Sequence, residues 1–355
     1  MPGKDAVLSK YKKHSKKKVL FILISIIILF ISIIISISIG ASKLELSRVL
    51  AALFGHGDDI ASRIIWYNRM PRVLTAVIAG FGLAVSGAVM QSILRNPLGS
   101  PFTLGVSHSA AFGAAFAIIV LGVGSIQSSS SDAVIGNNPY IITICAFGFS
   151  LVATFIIILL AKYKGATPET MILTGVALGS LFIAGTTALE YFAEDIQLSS
   201  IIFWTFGDIS RVSWDDLWII IAVVIPSIVY FLYNMWNYNA MNSGDETAKS
   251  LGVNVERVRI GGLLIASLVT ALIVSFVGII GFIGLVVPHI VRKVIGGDER
   301  YLIPASCIVG AILLLVSDTV ARTVISPIVL PVGILTSFLG APLFIYLVIK
   351  GRKYW

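Results

Sequence analysis

The sequence predicts an all-α, polytopic membrane protein with ten transmembrane helices. Three observations carry this expectation. Of its 355 residues, 57% are hydrophobic and only 12% charged, whereas a soluble domain carries about 25% charged residues. Apolar runs of about 20 residues, enough to cross roughly 30 Å of hydrocarbon, recur along the chain. Lysine and arginine gather on one set of the connections between those runs, as cytoplasmic connections do.

Residues 1–18 read as a basic cytoplasmic N-terminal tail, crowded with Lys4, Lys10, Lys12, Lys13, Lys16, Lys17 and Lys18. A basic tail beside a span is an anchor on anionic membrane lipid rather than a nucleic-acid arm. The apolar run 19–39 lacks a small-residue cleavage site, so it reads as a retained first span. A single transmembrane domain then extends to residue 350, followed by a short cytoplasmic tail, 351–355. Further spans are expected at about 73–94, 102–123, 140–161, 171–189, 217–236, 301–317 and 324–349.

The run 260–291 has no charge over 32 residues. As one helix it would be about 48 Å long, which overshoots a bilayer. Arg257 and Arg259 precede it, and Arg292 and Lys293 follow it. Placing both clusters inside makes the run cross twice, turning near "GIIGFIG". The total becomes ten spans with both termini cytoplasmic, in the inner or plasma membrane. Nineteen Lys/Arg then lie inside and seven outside: Lys43, Arg48, Arg63, Arg69, Arg72, Arg211 and Arg322. Of the outer connections, 124–139 is Ser-rich and reads as a flexible loop. Within 190–216, "IQLSSIIFWTF" is too short to span and reads as an interfacial or re-entrant piece.

Absent motifs restrict the chemistry. There is no GxxxxGK[ST], HExxH or CxxC, so the chain is not itself a P-loop ATPase and no catalytic residue, cofactor or metal site is expected. Cys145 and Cys307 lie in apolar runs and read as small hydrophobes. An ion-coupled secondary transporter is the alternative, but it keeps ionisable groups near mid-membrane, whereas Glu169, Glu190 and Asp318 sit at span ends. Small residues in "GFGLAVSGA" (80–88) and "GVALG" (175–179) permit close helix approach. "ILTGVALGSLFI" (172–183) is echoed by "ILTSFLGAPLFI" (334–345), on helices expected to run in opposite directions, as in an inverted repeat.

At the outer end, Arg69 and Arg72 of "RMPR" precede the second span, and Arg322 follows Asp318 by one helical turn. The bland reading is headgroup contact for the first two and a helix-end ion pair for Asp318–Arg322. The sharper one is a trio of arginines presented to carboxylates of a soluble partner. Inside the cell, "NSGDETAKSLGVNVERVR" (242–259) is charged and balanced amid hydrocarbon. Asp245 and Glu246 favour a helix start, Gly252 its C-terminal cap, and Asn254 can cap a second helix beginning near Val255. Ala248, Leu251, Val255 and Val258 would form one apolar ridge. The segment reads either as a solvated loop or as a pair of coupling helices.

"RMPR", "SGAVMQSILRNPLGSPFTLGVS" (86–107), "ILTGVALG", "GDETAKSLGVNVERVR", "GFIGLVVPHIVR" (281–292), "DTVAR" (318–322) and "PVGILTSFLGAPLFIYLV" (331–348) together resemble the FecCD family. Its members are permease subunits of ABC importers for iron-siderophores, haem, cobalamin and some oxyanions. The resemblance covers about residues 60–350. It implies a type II importer permease working as a homodimer, with two cytoplasmic ABC ATPase subunits and an extracytoplasmic substrate-binding protein. It further implies that Arg69, Arg72 and Arg322 dock glutamates of the binding protein, as in cobalamin importers. Gly244, Asp245, Glu246, Ala248, Leu251 and Gly252 would couple to the ATPase. The fifth and tenth spans, with Gly175, Gly179, Gly333 and Gly340, would line the translocation path. The cytoplasmic gate region matches Thr167, Pro168, Glu169 and Thr170. Pro168 and Glu169 stand there where cobalamin importers have small hydroxyl residues, so gate detail does not transfer. The cargo expected first is an iron-siderophore, with haem or cobalamin as alternatives.

Overall fold

In the computed structural model, residues 4–40, 45–123, 139–163, 165, 167–326 and 328–350 are described. Lys43, the Ser-rich connection 124–138 and the tail 351–355 lie outside them. The described residues contain helices and no strand. In order these are α1 (Lys4–Ser38), α2 (Leu46–Leu53), α3 (Asp59–Arg63), a π-helical turn (Ile64–Arg69) and α4 (Met70–Ile93). Then follow α5 (Val106–Ile119), α6 (Pro139–Tyr163), α7 (Pro168–Tyr191), α8 (Asp195–Thr205), a 3-10 turn (Ile209–Arg211), α9 (Trp214–Tyr233) and α10 (Met235–Asn242). The chain ends with α11 (Asp245–Ser250), α12 (Val255–Val277), α13 (Ile283–Ile295), α14 (Glu299–Thr323) and α15 (Val332–Lys350).

Among the described residues, seven helices are long and apolar enough to cross a membrane: parts of α1 and α6, the continuous stretch Asp59–Ile93, and α7, α9, α12 and α14. α5 and α15 are shorter apolar helices. α13, at 13 residues, is only about 20 Å long. The uncharged run 260–291 does break where the glycines suggested. α12 ends at Val277, Gly278 takes φ 77°, and α13 opens after Phe282 at φ 67°. One expectation is extended and one is corrected. The basic N-terminal segment is helical and continuous with the first span from Lys4, because no proline or glycine between residues 4 and 39 interrupts it. The last helix begins at Val332 rather than 324; Pro331, with no N–H to donate, can open that helix but not lie within its first bonded turns.

α4 is the hub, packed by α14, α12, α13 and α9, while α1 lies against α14 and α5 against α6 and α7. The apolar window of α4 is 83% buried and that of α7 only 11%, so α7 stands at the periphery. Between helices in lipid there is no hydrophobic drive, and close van der Waals contact does the holding. α4 and α14 meet at such a contact: a Cβ on Gly80 would lie 2.6 Å from both Ala311 Cα and Gly310 O. Phe112, Phe116, Phe149 and Phe182 interlock α5, α6 and α7, with ring centroids 4.9–6.5 Å apart.

Candidate functional site

The charged segment 242–259 folds as two short helical pieces joined at a glycine. Gly244 precedes α11 at φ 111°, and Asp245 and Glu246 occupy its first turn. Gly252, at φ 82°, closes it by donating to Lys249 O (2.9 Å), and Val253 N donates to Ala248 O (3.0 Å). Only glycine takes that conformation without strain. Asn254 Oδ1 then accepts from Arg257 N (3.0 Å) and opens α12. Both caps stand where the sequence placed them.

The predicted apolar ridge does not survive intact. Ala248, Val255 and Val258 are buried, whereas Leu251 is 68% exposed. Leu251 is left to solvent, as are Glu246 and Lys249, whose exposed ion pair spans 3.0 Å. The segment thus has an inner face holding it to the bundle and an outer face carrying one bare leucine among charges.

The inner anchor was not foreseen. Arg259, read from sequence only as a topological charge, is 3% exposed. Its Nε donates to Ile93 O at the end of α4 (2.9 Å), and Nη2 donates to both Asp245 oxygens (2.8 and 3.0 Å). Arg95 Nη2 lies 3.5 Å from Asp245 Oδ1. Burial raises the Asp245 carboxyl. The Arg259 hydrogen bonds and charge, with Arg95 and Lys249, outweigh this and hold it below the usual carboxylate range.

At the opposite end of α4, about 36 Å away over 24 residues, the structure brings Arg69, Arg72 and Arg322 together. They are buried, which departs from the expectation of an exposed trio. Arg69 Nη1 donates to Ile37 O (2.7 Å) and Ser38 O (2.9 Å) at the end of α1. Arg72 grips Asp318 with Nε and Nη2, each to Oδ1, at 3.0 and 2.8 Å, and Nε also reaches Oδ2 at 3.1 Å. Arg322 donates to Ser36 O (3.1 Å), Ser36 Oγ (2.7 Å) and Ile39 O (3.2 Å). Its Nε lies 3.1 Å from Asp318 Oδ2 as a charge contact without hydrogen-bond alignment. A guanidinium near hydrocarbon must find acceptors, and here the ends of α1 and α14 supply them within the chain.

Thr167, Pro168, Glu169 and Thr170 form the N-terminus of α7. The Thr167 hydroxyl accepts from Thr170 N (3.3 Å), Pro168 takes a first-turn position and Glu169 an exposed one beside it. This geometry is a helix cap, favourable to an acidic first turn. The four glycines expected on the path divide. Gly175 and Gly179 pack inward: a Cβ on Gly175 would lie 2.7 Å from Leu104 Cα, and one on Gly179 3.5 Å from Gly105 Cα. On α15, a Cβ at Gly340 would overlap Phe282 and one at Gly333 the carbonyls of Phe206 and Ile279, though Gly333 also lines an open cleft of about 560 Å³. That cleft is walled by Phe102, Phe206, Phe282 and Phe338, with Thr205 and Ser337 as its hydroxyls and no charged residue. A cavity of about 250 Å³ adjoins it, sharing Phe102 and Phe282. Among the described residues, no group of three or more His, Cys, Asp or Glu could hold a metal ion.

The FecCD transport family matches residues 28–350. A protein of Methanocaldococcus jannaschii, provisionally named an ABC transporter permease, is 56% identical over 97% of this chain and 98% of its own. The hemin transport system permease of Yersinia pestis is 36% identical, covering 94% of this chain and 95% of its own. The cobalamin import permease of Halobacterium salinarum is 38% identical over 81% of this chain and 74% of its own. A solved transporter, provisionally described as metal-chelate type and inward-facing, superposes with a TM-score of 0.80 at 31% identity. It covers 93% of this chain and 98% of its own.

Proposed function

The chain belongs to the FecCD transport family, and on that premise we propose that it is the membrane permease subunit of a binding-protein-dependent ABC importer for an iron chelate, a siderophore first. It performs no covalent chemistry. ATP hydrolysis lies in a separate subunit, and the permease converts that subunit's motion into opening at one membrane face and then the other. The observation that carries the reading is the segment 244–254. It is locked to α4 from within by Arg259 and Asp245, and it presents Glu246, Lys249 and Leu251 outward. A partner gripping that outer face moves α4 directly.

The finer assignments follow from the same reading. Ten helices cross: α1, α4, α5, α6, α7, α9, α12, α13, α14 and α15, with both termini cytoplasmic. Two copies pair, and the sparsely buried α7, with the exposed Phe338, Leu339 and Ile345 of α15, supports a path between them. The uncharged aromatic cleft suits a chelate whose metal charge is already screened by its ligands. Relatives named for hemin, Fe(3+)-citrate and iron(3+)-hydroxamate support iron as the cargo. Arg69, Arg72 and Arg322 shape the floor beneath a binding-protein dock; the exposed Arg63, on the connection that leads to Arg69, adds charge at its rim.

The test is reconstitution in proteoliposomes. The purified chain alone hydrolyses no ATP. With its ATPase and loaded binding protein it accumulates the chelate, and mass spectrometry of the binding protein as isolated identifies that chelate. Accumulation driven by a proton gradient without any ATPase sinks the proposal.

A further inference from the structure

A carboxylate that the reading above leaves unused is Glu299, the first residue of α14 and fully buried. From sequence it is an acid at a helix N-terminus, where solvated Glu is ordinary. In the fold it is a junction. Its Oε1 accepts from Ser92 Oγ at the end of α4 (2.6 Å) and from Asn242 Nδ2 at the end of α10 (3.0 Å). Arg292 Nη2 of α13 lies 3.8 Å from the same oxygen. The Glu299 backbone N–H donates to Asn239 Oδ1 (2.9 Å), and Asn239 Nδ2 donates to Asp298 Oδ1 (3.1 Å). Asn242 stands two residues before Gly244, where the outward-facing segment begins. α10 is therefore sewn to α14 by its last turn.

α4 and α14 are pinned to each other at both ends. At the coupling end the pin is Ser92–Glu299; at the other it is Arg72–Asp318, with side chains 0–8% exposed. Between the pins the helices touch backbone to backbone at Gly80 and Gly310. Two helices joined by buried polar bonds at each end and close contact along the middle move as one body. The Oε2 of Glu299 is buried without a hydrogen-bond partner, and a buried acceptor left open calls for an explanation.

We propose that Glu299 is the positioning residue that ties the coupling segment, through α10, to a rigid α4–α14 strut reaching the far membrane face. This rests on the importer reading. The test uses the full transporter, permease with its ATPase and binding protein, in proteoliposomes, with uptake per ATP hydrolysed as the readout. Glu299→Gln keeps the volume but weakens every contact that the carboxylate makes at the joint. Ser92→Ala removes one bond and is the milder change should the first variant fold poorly. Losing a hydrogen bond to a charged group is worth about tenfold or more. Uptake per ATP should fall about tenfold or more in Glu299→Gln, which disturbs three contacts, and about tenfold in Ser92→Ala, which deletes one, while the folded fraction still hydrolyses ATP. If uptake per ATP stays at the wild-type value in folded variants, and only yield or melting temperature falls, Glu299 is merely structural and the proposal is overturned. A wild-type complex that hydrolyses ATP without uptake overturns the importer reading, and the joint with it.

Discussion

Replacing Asp318 with asparagine preserves its shape and one carbonyl acceptor but removes the carboxylate that the buried Arg72 and Arg322 share. Asp318 is fully buried, 2.8 Å from Arg72 and 3.1 Å from Arg322. At an effective dielectric near 20, one such pair at 3 Å is worth about 5 kcal/mol of direct attraction. Part of that returns when the guanidinium groups turn to other acceptors, and Arg322 already holds two carbonyls and the Ser36 hydroxyl at the end of α1. The remaining loss should be about 3–5 kcal/mol, as expected for a buried charge left without its partner. With unfolding entropy near 2.1 cal/mol/K per residue, 355 residues give a drop in melting temperature of about 5 °C. The assay is thermal unfolding of the purified protein in nanodiscs. The double variant Asp318→Asn with Arg72→Leu should melt above the single variant, because it removes the cation whose side-chain bonds all go to Asp318. A single variant melting within about 1 °C of wild type, or a double variant no better than the single one, would refute a structural ion cluster at this site.

Other outcomes follow from the same geometry. Gly252→Pro deletes the N–H that donates to Lys249 O and demands φ near −65° where the chain has 82°; coupled uptake should fall at least about tenfold while the apolar bundle still assembles, read by uptake against size-exclusion profile. Gly340→Ala drives a methyl into Phe282 and should cost about 1–3 kcal/mol, whereas Gly148→Ala meets nothing within 4 Å and should be neutral or stabilising by up to about 1 kcal/mol; thermal melts compare the two. The Asp245 ion pair gives a pH signature. Its folded-state pKa is depressed, so its stabilisation is complete above the unfolded value of about 4 and is lost as pH falls through the lower folded one. Hydrogen exchange of residues 244–253, corrected for intrinsic rates, should stay flat from pH 7 to about 5 and rise below about 4. Asp245→Asn should exchange faster throughout and lose that dependence.

Much of this architecture was written locally. The helix caps at Gly252 and Asn254 depend on conformations and bonds spanning three or four residues, so residue type alone placed them. The break at 278–282 was legible because an uncharged run of 32 residues has no one-helix solution in a bilayer. Family membership was legible in ordered motifs. The pairings of charges were not. Arg259 with Ile93, Arg72 with Asp318 and Glu299 with Ser92 join residues separated by 166, 246 and 207 positions, and nothing in hydropathy or spacing selects one distant partner over another. The outer arginines illustrate the difference. Sequence marked them as charges needing a reason at span ends, but which acceptors they find depends on where α1 and α14 end relative to α4. The sequence by itself determined that this chain crosses a membrane many times, carries no nucleotide-binding loop and holds a capped, charged segment between α10 and α12, because those follow from composition, length and short-range bonding. Only the tertiary structure decided which face of that segment is free and which charges lock the bundle, because burial and partner choice are properties of helix packing.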